Sequence, residues 1–327
     1  MNFKRKLLLL LISFNIIIPI YVNAYSKYLI PGGENIGIKV EADGVYIVGF
    51  YKVGGHEIAK ENGLQIGDRI IRINDNKIEN INDLANKINS DNNELNIKID
   101  YIRNNKTNTT NMLLKKDADN TFKTGIYVKD SIMGIGTITY IDPIDNSYGA
   151  LGHEIVESNT GNSFQIKSGY IFESTITSIT KAGFNEPGEK NARLIPSQAI
   201  GSIKYNMETG IYGKLDQVSD DTNTLPIASI NDVKIGKAEI ITVLENNKKE
   251  HFEIEILSID KKNKTKNFLF KVNDKRLLSK TGGVIKGMSG SPIIQNNMLI
   301  GAVTHTILET PSKGYGISII KMLESIE

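Results

Sequence analysis

The stretch GMSGSP, from Gly287 to Pro292, sets a serine inside a glycine-rich turn, a setting in which an alcohol can be presented as a nucleophile. A serine hydroxyl attacks poorly until a base takes its proton, a third group orients that base, and N–H donors receive the oxyanion. Gly287 and Gly290 permit a sharp backbone reversal here, and the N–H groups of Gly287 and Ser289 can converge on one point as an oxyanion hole. Ser291 has no glycine two residues before it, so Ser289 is the favoured nucleophile. The competing reading is a plain tight turn, and the rest of the chain must decide between them.

A base must come from four histidines, because the chain has no cysteine and therefore no thiol nucleophile, disulfide or thiolate metal site. His251 shares a strand face with Glu253 and Glu255, opposite Phe252, Ile254 and Ile256, and reads as solvent-facing. His56 lies beside a glycine pair and reads as a surface residue. His153, in YGALGHEI, ends a small-residue strand from which a ring can project into a cleft, and is the better base. His305 follows Ser289 on the next strand, after MLIGAV, and belongs beside the substrate. The orienting acid stays open on the residues alone: Asp274, Asp142 and Asp145 all qualify. No metal or cofactor is needed for this chemistry.

The elements that must position these groups are mostly strands. In 327 residues, 40% hydrophobic and 23% charged, there is room for two domains with real cores. A net charge of +2 gives no field that argues for nucleic acid. Lys4, Arg5 and Lys6 precede an apolar run over 7–22, and Val22-Asn23-Ala24 follows. This pattern predicts an export signal or membrane anchor over 1–24, with the remainder outside the cytoplasm. Two β-rich runs, 36–40 and 45–50, read as a hairpin-like pair; Ile81, Leu84 and Ile88 fall at helical spacing, and 95–101 alternates as a strand. From about residue 125 onward short strands dominate, at 125–128, 135–140, 171–179, 210–215, 238–244, 251–259 and 267–272, with a helix at 319–326. That spacing predicts an all-β barrel or sandwich.

The order of elements over 28–116, with GDRIIRIN in it, resembles a PDZ domain. On that resemblance ENIGIKV is the carboxylate-binding loop. Ile36, Gly37 and Ile38 then bind a peptide end, which adds as a strand beside residues 38–40 against the helix around Leu84. A spacer domain that binds nothing is the alternative.

Further on, GALGHEI, NEPGEK (185–190), IGSI, KTGGVIKGMSGSPIIQ and IGAVTH, behind a PDZ-like domain, resemble the SpoIVB peptidase family of sporulation serine peptidases. The resemblance implies a trypsin-like double β-barrel over 117–327. It also implies His153, Asp274 and Ser289 as base, orienting acid and nucleophile, so that Asp274→Asn is severe. It further implies export into the space between forespore and mother-cell membranes and cleavage of a membrane-bound regulator of an intramembrane protease, while a PDZ-like domain that captures a neighbouring copy gives a route to self-association and self-cleavage. His305 is then expected to touch the substrate side chain before the scissile bond. A non-catalytic PDZ scaffold and an envelope quality-control protease are the rival readings.

Overall fold

Two 16-residue strands, β2 (Asn35–Phe50) and β9 (Ile126–Ile141), run side by side and belong to both halves of the molecule. The computed structural model describes residues 25–90, 96–116, 121–157, 159–161, 163–217 and 223–326. The apolar run expected as a signal or anchor lies outside them. Strand is the dominant element, at 56% against 9% helix.

The first halves of the shared ribbon and its second halves serve different cores. Residues Asn35–Glu41 of β2 pair with Thr137–Ser131 of β9, and the ring closes through β10 (Ser147–Ala150), β13 (Gly210–Leu215), β12 (Glu189–Met207) and β11 (Ile166–Thr180), back to β2. This six-stranded barrel buries Ile36, Ile38, Val40 and Ala42 with Ile138, Ile171 and Ile211. β1 (Tyr28–Pro31) pairs with the end of β9 and with β14 (Leu225–Pro226) outside the ring. The β-run 125–128 and the run 135–140 are therefore one strand, as are 36–40 and 45–50, which do not form the expected hairpin. Gly44 (φ 117) kinks β2 without reversing it.

Beyond Gly44 the same strand enters a second core. Val45 and Ile47 pack with Ile70, Leu84, Ile97 and Ile126. There β2 pairs with β3 (Arg69–Ile73), which pairs with a two-residue β4 (Asn76–Lys77) and with β5 (Asn96–Arg103); β5 pairs with β6 (Lys106–Leu113). Two helices, α1 (Ile58–Glu61) and α2 (Ile81–Ser90), complete this unit, and β7 (Lys115–Lys116) with β8 (Phe122–Lys123) leads into β9.

The third core is a second closed barrel, in the order β15 (Gly236–Val243), β16 (Lys249–Ile259), β17 (Phe268–Val272), β20 (Lys313–Ser318), β19 (Met298–Thr306), β18 (Pro292–Gln295). It is filled by Ile240, Phe252, Ile254, Phe268, Phe270 and Val303, an inward-facing set that alternates along each strand. Helix α3 (Lys275–Thr281) follows β17, and α4 (Ile319–Glu324) follows β20.

Two expectations are corrected by this topology. The stretch 28–116 is not one unit, because residues 35–42 of β2 belong to the first barrel and β1 pairs beside it. Nor can Ile36, Gly37 and Ile38 receive a peptide: β9 occupies one edge of that stretch and β11 the other, so its backbone donors and acceptors are already paired. In the PDZ-type unit, the strand beside Tyr46–Phe50 is Ile126–Lys129 of β9, and α2 packs against both.

Candidate active site

A cleft of about 800 Å³ opens at the seam of the two barrels, and His153, Gly287, Ser289 and His305 all line it. Ser289 reaches it from the turn between α3 and β18. Along that turn Lys286 donates to the Gly188 carbonyl, Met288 to Ile285, Gly290 to Val303 and Ser291 to Met288. The N–H groups of Gly287 and Ser289 are the two that alternate with these donors and take no partner among the described residues.

The carbonyls of the same turn are held from the first barrel. Thr137 donates its N–H to the Ser289 carbonyl (3.0 Å) and its hydroxyl to the Gly287 carbonyl (2.8 Å), and Thr139 donates its hydroxyl to the Gly290 carbonyl (2.8 Å). Both threonines are fully buried. This fixes the carbonyl side of the turn to the first barrel. Gly290 (φ 93) makes the contact possible, since a Cβ there would stand 2.0 Å from the Thr137 carbonyl oxygen. Ser291 is wholly buried and does not line the cleft, which removes it as a nucleophile.

His153 is delivered by a tight turn after β10, in which Leu151 and Gly152 both have φ of 69°. A leucine in the left-handed region is strained, and such strain gathers where structure holds a functional group in place. Gly152 lies so close to β19 that a Cβ would meet the Thr304 methyl at 2.9 Å, and this approach brings the His153 and His305 rings to a centroid distance of 5.4 Å. Nδ1 of His153 is 2.8 Å from the carbonyl oxygen of Glu154. A carbonyl only accepts, so Nδ1 carries the proton and Nε2 presents its lone pair. Burial first holds this imidazole below the usual histidine range, with the Glu154 carbonyl pulling the other way. His305 is also lowered, by withdrawal from solvent first and then by His153 and Lys266. Both rings are neutral near pH 7.

Ser289 Oγ donates to the Thr304 carbonyl (3.0 Å), at a β-bulge between Val303 and His305, and makes no hydrogen bond to His153. Catalytic contacts commonly tighten only when substrate binds.

The orienting acid is where sequence and structure part. Asp274 does not line the cleft: it caps α3, accepting from the backbone N–H groups of Arg276 and Leu277 and from the Arg276 guanidinium. Asp142 binds the Ser26 hydroxyl and the Ile144 N–H, while Asp145 is spent on Ser147 and Lys214. Among the described residues no carboxylate pairs with His153, and the Glu154 carbonyl does the orienting instead. His251 and His56 stand outside the cleft, exposed and facing Glu239 and Glu61. Lys190, the last residue of the NEPGEK stretch, is a wholly buried lysine against the turn and had no role in the sequence reading.

Two closed six-stranded barrels with a serine turn and a histidine at their seam have the architecture of a trypsin-like serine endopeptidase, joined here to a PDZ domain. The SpoIVB peptidase S55 family matches residues 120–323, more than half the chain, and a PDZ domain family matches 35–114. The chain belongs to the SpoIVB peptidase family, and is a sporulation serine peptidase.

No curated protein matches the chain by sequence. Among solved structures, it is similar to the PDZ domain of an SdrC-like protein from Listeria monocytogenes, at 26% identity over 27% of this chain and 90% of that one, with a TM-score of 0.24. It is also similar to the inactive form of the Rv3671c protease of M. tuberculosis, at 10% identity over 59% and 82%, TM-score 0.33. Human heparin binding protein is similar at 14% identity over 55% and 73%, TM-score 0.29.

Proposed function

We propose that Ser289 is the nucleophile, His153 its general base, and the Gly287 and Ser289 N–H groups the oxyanion donors. The observation that supports this most directly is the alternation of spent and unspent N–H groups along the turn beside a histidine whose Nε2 lone pair is free. Ser289 Oγ leaves Thr304, attacks the scissile carbonyl and gives its proton to Nε2; the tetrahedral oxygen settles between the two N–H groups. The imidazolium then protonates the leaving amine, and water repeats the sequence on the acyl-enzyme. His305, at the rim beside His153, contacts the substrate side chain before the scissile bond.

The substrate in this reading is a membrane-bound regulator of an intramembrane protease, met in the space between forespore and mother-cell membranes after export by the N-terminal run, and the enzyme also cleaves itself. The family and the PDZ domain favour a protein substrate of that kind. The PDZ domain captures an extended segment, of the substrate or of a second copy, along the Ile126–Lys129 edge of β9 that faces α2.

A serine-directed fluorophosphonate is the first test. Labelling of the full chain that vanishes in Ser289→Ala supports the reading; equal labelling, or none, rejects it in favour of a non-catalytic scaffold. The substrate is then sought by trapping with Ser289→Ala in sporulating cells; recovery of cytoplasmic proteins alone would reject the envelope assignment.

A further inference from the structure

Lys190 has no exposed surface, and its ammonium is bonded to two neutral partners: Asn35 Oδ1 on β2 and Thr242 Oγ1 on β15, each at 2.8 Å. These partners come from different barrels, so the side chain crosses the seam. Its methylenes lie directly under Gly287, where a Cβ would meet them at 3.1–3.3 Å, and its N–H donates to the Lys286 carbonyl (3.0 Å) while Lys286 donates to Gly188 (3.0 Å). Asn35 is itself the register partner of Thr137, the residue that pins the Gly287 and Ser289 carbonyls. One buried lysine thus ties β2 to β15 beneath the serine turn, while its backbone N–H meets Lys286 at the start of that turn. A protein does not bury an unpaired lysine for stability, since removing a cation from water without a counter-charge is costly.

We propose that Lys190 is a positioning residue of the oxyanion hole, its protonated amine bracing the Gly287 turn across the barrel seam and setting a positive potential behind the point where the tetrahedral oxyanion forms. This role rests on Ser289 being the nucleophile. In a water-poor seam such a charge acts at full strength and needs no reorganisation during the reaction.

The amine is held in the working pH range by burial alone, which lowers it to about 7. The charged groups around it are engaged elsewhere or face solvent. Glu34, next to Asn35, pairs with Lys249 on β16; Glu250, opposite Thr242, faces Arg276; Glu189 on its own strand and Lys286 on the turn are exposed. With two acceptors and three protons, the charged form leaves one N–H unmet among the described residues. Activity therefore requires His153 neutral and Lys190 charged, a combination confined to a window around neutrality.

The test is the rate of labelling by an alkyl fluorophosphonate from pH 5 to 9, for wild type, Lys190→Met and Asn35→Asp. The wild-type rate is expected to rise as His153 loses its proton and fall as pH passes about 7. Lys190→Met should label about 10- to 100-fold more slowly at pH 6.5, less than the 10²–10³ lost with an oxyanion donor itself, and show no alkaline fall. Asn35→Asp puts a carboxylate beside the ammonium and should move the alkaline midpoint up by more than about one pH unit. An alkaline fall that survives in Lys190→Met, or stays in place in Asn35→Asp, overturns the proposal, and the second comparison stands even if Lys190→Met does not fold. A wild type unlabelled at every pH is a different failure: it removes Ser289 as nucleophile and this role with it.

Discussion

Asp274→Asn separates what the family resemblance implies from what the geometry supports. In the structure the Asp274 carboxylate caps α3 and holds Arg276 through its Nη2 at 2.8 Å, with its side chain 12% exposed and that of Arg276 62% exposed. Asparagine caps a helix about as well as aspartate, so that part of the change costs a few tenths of a kcal/mol. The pair to a mostly solvated arginine adds ~0–1 kcal/mol. Together these amount to about 1 kcal/mol, or roughly 2–4 °C in Tm for a chain of this size, and labelling by a fluorophosphonate should stay within about threefold of wild type. An aspartate that fixed the imidazole tautomer would instead cost on the order of 10⁴ in rate when changed to asparagine, close to 5.5 kcal/mol of transition-state stabilisation. The two outcomes differ by three orders of magnitude in one assay. Burial opposes ionisation of Asp274, but Arg276 and the two backbone N–H groups outweigh it and hold the carboxyl below its ordinary value of 3.8. Its contribution to stability is therefore present above that value and lost as pH falls through the lowered one, so wild type and Asp274→Asn should converge in Tm in strong acid. A rate loss of 10³ or more in a variant that melts like wild type would refute the assignment to α3 and return Asp274 to the imidazole.

Gly290→Ala should abolish labelling, because φ of 93° is strained for alanine and the new Cβ has only backbone to meet, the Thr137 oxygen at 2.0 Å and the Leu151 nitrogen at 2.5 Å; normal labelling would mean the turn is not clamped by β9. Lys190 lies at about 7 in the folded chain against 10.5 when solvated, so the unfolded state binds the extra proton between those values and stability should rise with pH across that range. At ~1.4 kcal/mol per decade the full span is about 5 kcal/mol; urea melts of Lys190→Met should show this slope gone, and an unchanged slope would mean the amine is solvated. Ile38→Ala should cost about 2–5 kcal/mol in the same melts, since Ile38 is 3% exposed inside the first barrel; a peptide-groove residue would change ligand capture and leave stability alone. Replacing 44–128 by an Asn-Gly turn should give a folded, labelled double barrel, because Glu41 faces Ser131 in register and the two strands then close as a two-residue hairpin. A chain begun at residue 117 should not fold, having lost β2 from the ring.

The serine turn, the cleft position of His153 and the second barrel were legible because their signals are local. GMSGSP states its own backbone needs, and the strand HFEIEILSI alternates so regularly that the outward face of His251 follows from period alone. The first barrel was harder. Ile36, Ile38 and Val40 alternate as a half-buried strand must, but nothing in that alternation says which sheet the strand joins, or that both its edges are taken. Strand pairing is non-local, and the partner residues lie about 90 to 140 positions away in sequence. Asp274 is ambiguous for a similar reason: an aspartate just after a strand and just before a helix fits a cap as well as an orienting acid, and only the fold shows that it caps α3 and is not among the residues lining the cleft. Lys190 left no trace of its burial in the sequence, since a lysine in a loop-and-strand context reads as solvated.

What the serine turn requires also explains why the two barrels cannot be assessed apart. Its carbonyls are held by Thr137 and Thr139 of the first barrel, its Gly290 N–H is spent on Val303 of the second, and Lys190 joins Asn35 to Thr242 across the seam beneath it. The base arrives on a first-barrel turn that leans on Thr304 of the second. Separating the barrels by even a small distance thus disorders the Gly287–Ser289 turn and His153 together, without touching any of those residues. Of the parts, β9 bears most: it lends one end to the PDZ-type unit beside α2 and the other to the Gly287 and Ser289 carbonyls. A peptide added along its outer edge would stiffen a strand whose far end already sets the oxyanion geometry, so binding at the PDZ unit has a continuous covalent path to the chemistry and needs no moving domain.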